Sequence, residues 1–560
     1  MNASVRLPDH DDRQLIREGL DHTVVVEAAA GTGKTTELVA RILNVLASGR
    51  ARIEQIVAVT FTEKAAGELK LRIRKELEGL RQRASASGVQ ARLTDAIQRL
   101  EEAHVSTIHG FCADLLRERP VEACIDPLFE VLTEPRAERI FDEAFHVWLS
   151  ERLEDPPEGV RRALRRSVWS RDGRDNDDGP IDRIRRAGRE LAEWRDFDGA
   201  WRRDPFDRDT ELARVLTRAH DLAALTAQAS STRDPLFYDT RFVRDLSHEV
   251  RTAERFDVRD PDGWEARVVD LAQNRDFRRA RRGRDRLYGP QLSRDDVWAA
   301  YEALTSELDA FQRAADGDLA ALLREELRDV VTGYEALKRS AGALDFVDLL
   351  LRARDLLVSH PGVRRSFHAR FTHLFVDEFQ DTDPLQAEIL LRLSAEEPGT
   401  DWRSITPEPG RLFIVGDPKQ AIYRFRRADV ETYRDVCEML VSRGARQAYL
   451  HTSFRSTPTI QRAINAAFAP HMTGDRATLQ AKYEELSPYR ADLAGQPALV
   501  ALPVPEPYGQ RRVAAYAIEK SLPDAVGAFV SWLVTRSGWT VTEKTARDEL
   551  PMTEIGRAHV

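Results

Sequence analysis

The run Thr23-Val-Val-Val-Glu27 leads without a break into Ala28-Ala-Ala-Gly-Thr-Gly-Lys-Thr35, and apolar residues then recur at helical spacing at Leu38, Val39, Ile42, Leu43 and Leu46. A strand that turns through glycines into a helix constrains this chain more than anything else in it. It calls for an α/β layer, with the strand in a parallel sheet and the helix packed on its face. The same segment has a chemical meaning. Gly31 and Gly33 let backbone N–H groups close on anionic oxygens, and the helix start adds its dipole. Lys34 is placed to neutralise β- and γ-phosphates, and Thr35 to offer its hydroxyl to Mg²⁺. Ala30, Thr32 and Thr36 complete the expected phosphate-loop contacts. The usual first glycine of such a loop is Ala28 here, so the simple pattern is not met at that position.

Three later segments extend this chemistry. The apolar run His373-Leu-Phe-Val376 ends in Asp377-Glu-Phe-Gln-Asp-Thr382. Asp377 at a strand end can hold Mg²⁺ through water, and Glu378 beside it can orient and deprotonate an attacking water. A plain strand-capping role explains neither the adjacent pair nor Gln380 and Asp381. Gln420, and Arg455 in Ser453-Phe-Arg-Ser456, are polar groups suited to the charge that develops on a γ-phosphate; a plain hydrogen-bonding role is the alternative for Gln420. Tyr423 and Phe425 alternate with Arg424 and Arg426, which suits either a stacking platform for unpaired bases or core packing. Phe61 and His109, at the ends of the second and third strands, could extend that track, and a structural role accounts for His109 equally well. Together the four segments describe a motor that hydrolyses ATP while gripping single-stranded DNA.

At 560 residues the chain is too long for one core, so several domains are expected. With 42% hydrophobic residues, 32% charged and a net charge of −9, it is not a polycation that coats DNA. Any nucleic-acid site must be a local groove. No apolar run reaches membrane-spanning length and the N-terminus has no secretory pattern. Cys112, Cys124 and Cys437 are widely spaced, which excludes a disulfide framework or a cysteine metal site and suits the cytoplasm.

The spacing predicts further strands at 53–60 and 105–109 and a helix at 63–77. The next core strand is 373–376, so residues of roughly 120 to 340 read as an inserted, mainly helical domain, with helical patterns at 137–149 and 304–338. The arginine-rich stretch 161–166 reads as a solvated face or as a contact for duplex DNA. Residues 448–451 are expected to open a second α/β domain, 498–505 to be strand-like and 522–533 helical.

These segments resemble the superfamily 1 helicases of the UvrD/Rep type, most closely the RecB/AddA (exonuclease V β-subunit-like) branch. Thr60-Phe-Thr-Glu-Lys-Ala-Ala66 matches that family's motif Ia, Ser106-Thr-Ile-His-Gly-Phe111 its motif Ib, and Leu344-Asp-Phe-Val-Asp-Leu349 the segment before motif II. The run Gly416-Asp-Pro-Lys-Gln-Ala-Ile-Tyr-Arg-Phe-Arg426 is specific to the branch; UvrD proper usually carries tryptophan where Phe425 stands. Ala28 is normal for the family, and Gln14 lies where its adenine-recognising glutamine would be, with looser flanks. The similarity covers nearly all of residues 10 to 530.

The resemblance implies an α/β, RecA-like P-loop domain 1A (1–118 and 339–445) with a helical insertion 1B (119–338). It also implies the start of a second RecA-like domain 2A (446–475) and a partial 2B/2A region (476–554), while residues 555–560 read as a non-native tail. It implies ATP and Mg²⁺ as ligands, Phe454 stacked on adenine and Arg455 on the γ-phosphate. DNA would pass Phe61, Thr62, His109, Tyr423, Phe425 and Arg426. The implied activity is that of a 3′→5′ ATP-dependent helicase, the motor of a helicase–nuclease. It would act on single-stranded DNA and DNA ends with a second subunit, in double-strand-break repair and recombination. A repair helicase without nuclease and a non-catalytic ATP- and DNA-binding fragment are the alternatives. The family's later motifs and a nuclease carboxylate cluster are not found in these residues. The expectation is therefore a truncated gene product, with 555–560 as translated sequencing adapter, that binds ATP weakly and hydrolyses it poorly.

Overall fold

The computed structural model describes residues 6–166, 179–197, 199, 201, 204–397, 399–423, 427–428, 430–476, 480–502, 515–542 and 549–551. The chain forms two compact units, Met1–Leu115 with Ala353–Val560, and Leu116–Arg352.

The first unit is built on six parallel strands: β1 (Val24–Ala28), β2 (Ile56–Thr60), β3 (His104–Thr107), β4 (His373–Val376), β5 (Leu412–Gly416) and β6 (Arg446–Leu450), in the spatial order β6-β1-β5-β4-β2-β3. In the register of the sheet Val24 lies between Phe413 and Arg446, and Val57 between Leu374 and His104. Strands β2, β4 and β5 are buried along their whole length, as parallel strands covered on both faces must be. Helices α1 (His10–Glu18), α2 (Lys34–Ser48) and α3 (Glu63–Arg83) contribute Ile16, Leu38, Ile42, Leu69 and Ile73 to the core that holds Val24, Ala58, Phe375 and Phe413. Helix α2 runs from glycine to glycine: Gly33 (φ 89°) and Gly49 (φ 77°) both take left-handed backbone that a side chain would resist. Helix α3 starts at Thr62, whose hydroxyl accepts the Ala65 N–H at 3.1 Å, a standard N-cap.

The α/β class read from the sequence is the class observed. Two local expectations are corrected. Residues 446–450 do not open a second sheet; they hydrogen-bond in parallel to β1 as the edge strand β6, with Ala448 and Leu450 buried. Residues 498–502 form no strand, and 503–505 lie outside the described residues.

The second unit is mainly helical, with Glu134–Arg152, Arg208–Thr226, Arg294–Glu326 and Arg328–Ser340 among its longer helices. Its arginine-rich helix Glu158–Arg165 is only in part the solvated face expected of residues 161–166: Arg161 and Arg165 are exposed, while two other arginines of the stretch turn to acids. Arg162 is buried and pairs with Asp318 at 2.6 Å and Glu265 at 2.9 Å, while Arg166 pairs with Glu265 at 2.6 Å. The acids that bury these cations come from residues about 100 to 155 positions later, which a local charge pattern cannot show. Among the described residues no helix is long and apolar enough to cross a membrane.

Candidate active site

A cavity of about 430 Å³ opens where β1, β4 and β5 end and the chain turns out of the sheet, the usual place for ligands in parallel α/β sheets. It is lined by Ala30, Gly31, Gly33, Lys34, Thr35 and Thr36 of the loop and first turn after β1, together with Glu378, Gln420, Phe454, Arg455, Arg72 and Arg490. The loop after β1 fits closely against the segment after β6. Gly31 adopts φ 76°, and a Cβ there would stand 2.5 Å from the Cβ of Arg455. The Phe454 N–H donates to the Gly31 carbonyl at 2.9 Å. Only glycine at 31 permits this approach.

Lys34 Nζ lies 2.7 Å from Glu378 Oε2. The Thr35 hydroxyl lies 3.5 Å from Asp377 Oδ2. Burial, and then the neighbouring Glu378 carboxylate, push Asp377 up to about 6; the same two causes push Asp381 up to about 6. Glu378 itself has left-handed backbone (φ 54°, ψ 44°). That costs a non-glycine residue of order 1–3 kcal/mol and occurs where a side chain must be aimed. Gln380 ties the acidic segment to the next one: its Nε2 donates to Glu378 Oε2 at 2.8 Å and its Oε1 accepts the Asp417 N–H at 2.8 Å. Asp417 in turn accepts from Gln420 Nε2 at 2.6 Å and pairs with Lys419 at 3.1 Å.

A hydroxyl and a carboxylate, both hard oxygen donors, fit a cation such as Mg²⁺, and a cation there would offset the burial that raises Asp377. Among the described residues no cluster of three or more His, Cys, Asp or Glu makes a self-sufficient metal site. Mg²⁺ held partly by substrate phosphates needs none. The glycine loop at the start of α2, whose first N–H groups have no intrahelical partner, fits a polyphosphate.

Most expected nucleotide residues are thus brought together, with two exceptions. Thr32 is fully buried and donates to the Ala29 carbonyl at 2.7 Å, so it shapes the loop. Gln14 is exposed and donates to Glu18 at 2.8 Å, away from the cavity. Of the expected DNA track, Phe61 and Tyr423 meet with ring centroids 4.2 Å apart. Thr62 caps α3, and His109 sits half-buried on the first turn after β3. Phe425 and Arg426 lie outside the described residues. Sequence reasoning does not find Arg72 or Arg490. Arg72 belongs to a charged helical surface pattern like any other, and nothing near Arg490 marks it.

Comparison with known proteins agrees with this geometry. The UvrD/REP helicase N-terminal domain matches residues 9–439. The chain belongs to the UvrD/REP helicase family. Proteins named as subunits of an ATP-dependent helicase/nuclease are similar to this UvrD/REP member over most of its length. That of Natranaerobius thermophilus is 27% identical over 84% of this chain and 38% of its own. That of Listeria welshimeri is 27% identical over 85% and 40%, and that of Pediococcus pentosaceus 28% over 73% and 34%. The chain thus spans about two fifths or less of these relatives.

Proposed function

We propose that this chain is the ATP-binding motor portion of an ATP-dependent DNA helicase, one component of a helicase/nuclease of the kind its relatives are named for. The observation that carries this reading is the meeting of Lys34 and Glu378 across the cavity, with Thr35 and Asp377 beside them. A triphosphate in the cradle would draw the Lys34 ammonium to its β- and γ-oxygens, leaving Glu378 to accept a proton from the attacking water. Thr35 and Asp377 would hold Mg²⁺, which would supply charge neutralisation on the phosphates. Gln420, Arg455 and Arg72 offer donors to the charge that develops on the γ-phosphoryl group. Through Gln380 and Asp417 a change at Glu378 reaches the segment that carries Tyr423. That ring and Phe61 form the surface on which unpaired DNA bases stack.

In this reading the sheet unit up to the end of β6 corresponds to domain 1A, the helical unit to insertion 1B, and the rest of the sheet unit, after β6, to parts of domains 2A and 2B. Translocation runs 3′→5′ on single-stranded DNA entered from DNA ends, beside a second helicase/nuclease component, in double-strand-break repair. The test is phosphate release from Mg·ATP with and without single-stranded DNA, on the wild-type chain and Lys34→Ala. DNA-stimulated release lost in Lys34→Ala supports the reading; release unaffected by both DNA and the substitution overturns it.

A further inference from the structure

Asp9 and Arg13 stand one turn apart at the start of α1, and both are buried. The Arg13 fork gives Nε and Nη2 to the two Asp9 oxygens, each at 2.9 Å. Its Nη1 reaches Glu37 Oε1 at 2.8 Å, and Nη2 also reaches the Thr32 carbonyl at 3.0 Å. Glu37 is held from its other side by Arg17. Asp9 Oδ2 accepts the backbone N–H of Thr452 at 2.9 Å and of His451 at 3.2 Å. One ion pair therefore grips the phosphate loop, the first turn of α2 and the end of β6. Burial alone would raise Asp9, but the hydrogen bonds from Arg13 and the Thr452 N–H outweigh it and hold the carboxyl at about 2.

The same guanidinium lies 5.1 Å from the centroid of the Phe454 ring, and that ring lines the cavity. Tyr489 meets Phe454 edge-on at 4.8 Å, and Arg490 Nε donates to the Phe454 carbonyl at 2.6 Å. A guanidinium whose fork is engaged on three sides is a rigid plane, and a cation over an aromatic face fixes the ring's orientation.

We propose that Arg13, locked by Asp9 and Glu37, is the positioning residue for the nucleobase: it backs Phe454 so that the base stacks on the ring's other face. This rests on the reading of the cavity as an ATP site. It assigns to Arg13, through Phe454, the placement of the base that the resemblance gives to Gln14. The rival account is that Arg13 only braces the phosphate loop through Thr32 and Glu37. The two accounts differ in what the loss of Arg13 does to a ligand without a base.

The test titrates ATP and inorganic tripolyphosphate separately into the 560-residue chain and into Arg13→Lys, which keeps the charge and loses the planar fork. The expected result is ATP affinity about tenfold weaker, tripolyphosphate affinity unchanged and turnover at saturating ATP within about twofold. In a Phe454→Leu background Arg13→Lys should then cost nothing further. Equal weakening of both ligands, or no change for ATP, overturns the proposal. If the wild-type chain binds neither ligand, the ATP-site reading itself fails. Should Arg13→Lys not fold, Asp9→Asn loosens the same fork and is measured in the same way, with the same outcomes.

Discussion

In the helical unit Arg195 and Lys338 both engage Asp345 and Asp348, with Glu335 also 3.5 Å from Arg195, whereas in the sheet unit Asp377, Glu378 and Asp381 gather near one lysine, Lys34, beside the cavity. Arg195 Nη2 lies 2.6 Å from both aspartates; Lys338 Nζ lies 2.7 Å from Asp345 and also contacts Asp348. The Tyr334 hydroxyl donates to Asp345 at 2.9 Å. Burial would raise Asp345, yet Arg195 and Lys338 hold it well below the usual carboxylate range. In the sheet unit, burial and Glu378 win instead, and Asp377 and Asp381 rise. Both regions bury charge; the cations win at Asp345, and burial wins at Asp377 and Asp381. A saturated cluster fixes a fold, while carboxylates raised beside a phosphate cradle suit a site completed by a cation.

The contrast is sharpest at Glu378. Glu378→Gln keeps the shape of the side chain and removes its basicity. Phosphate release should fall by about 10²–10⁴ with ATP binding retained, measured by phosphate release alongside ATP titration. The mirror change is Lys338→Met, which leaves two buried aspartates on one arginine. It should cost about 3–5 kcal/mol in urea denaturation, with ATP affinity of the folded chain unchanged. If Lys338→Met impaired ATP binding without loss of stability, the division between structural and functional charge would be wrong.

Asp377→Asn should act in the opposite direction on stability. A carboxyl raised to about 6 in the folded chain contributes stability that is present below its unfolded value near 4 and is lost as pH rises through about 6. Without Mg²⁺, Asp377→Asn should therefore melt higher than wild type at pH 8, by the equivalent of about 1–3 kcal/mol, and the gap should close at pH 4. Thermal melts at the two pH values check this. The smallest effect belongs to Thr62→Ala, which removes the α3 cap and should cost about 1 kcal/mol. If Thr62 binds DNA directly, this variant would instead weaken single-stranded DNA binding beyond that loss, read by fluorescence anisotropy.

What is legible in the sequence is what is local. The β1–loop–α2 passage and the acid pair after β4 are contiguous, so their chemistry and their place at strand ends can be read together. Strand β6 is misplaced on sequence grounds because its alternation, with Ala448 and Leu450 inward, is the same whichever sheet it joins, and its partner β1 lies more than 400 residues earlier. Gln14 and its neighbour Arg13 part company because successive helix positions differ by about 100°. Arg13 and Ile16 face the core of α1, while Gln14 turns outward. Arg162 escapes a sequence reading because a buried arginine and a solvated one look alike until the acids facing it are placed.

The central claim is that the cavity binds Mg·ATP through Lys34, and calorimetric titration of Mg·ATP into the wild-type chain and into Lys34→Ala tests it most directly. The account predicts a single site in the wild-type chain and affinity at least about 100-fold weaker in Lys34→Ala, the loss of a charge-assisted contact to phosphate. Binding of equal strength in both chains, or none in the wild type, would contradict it.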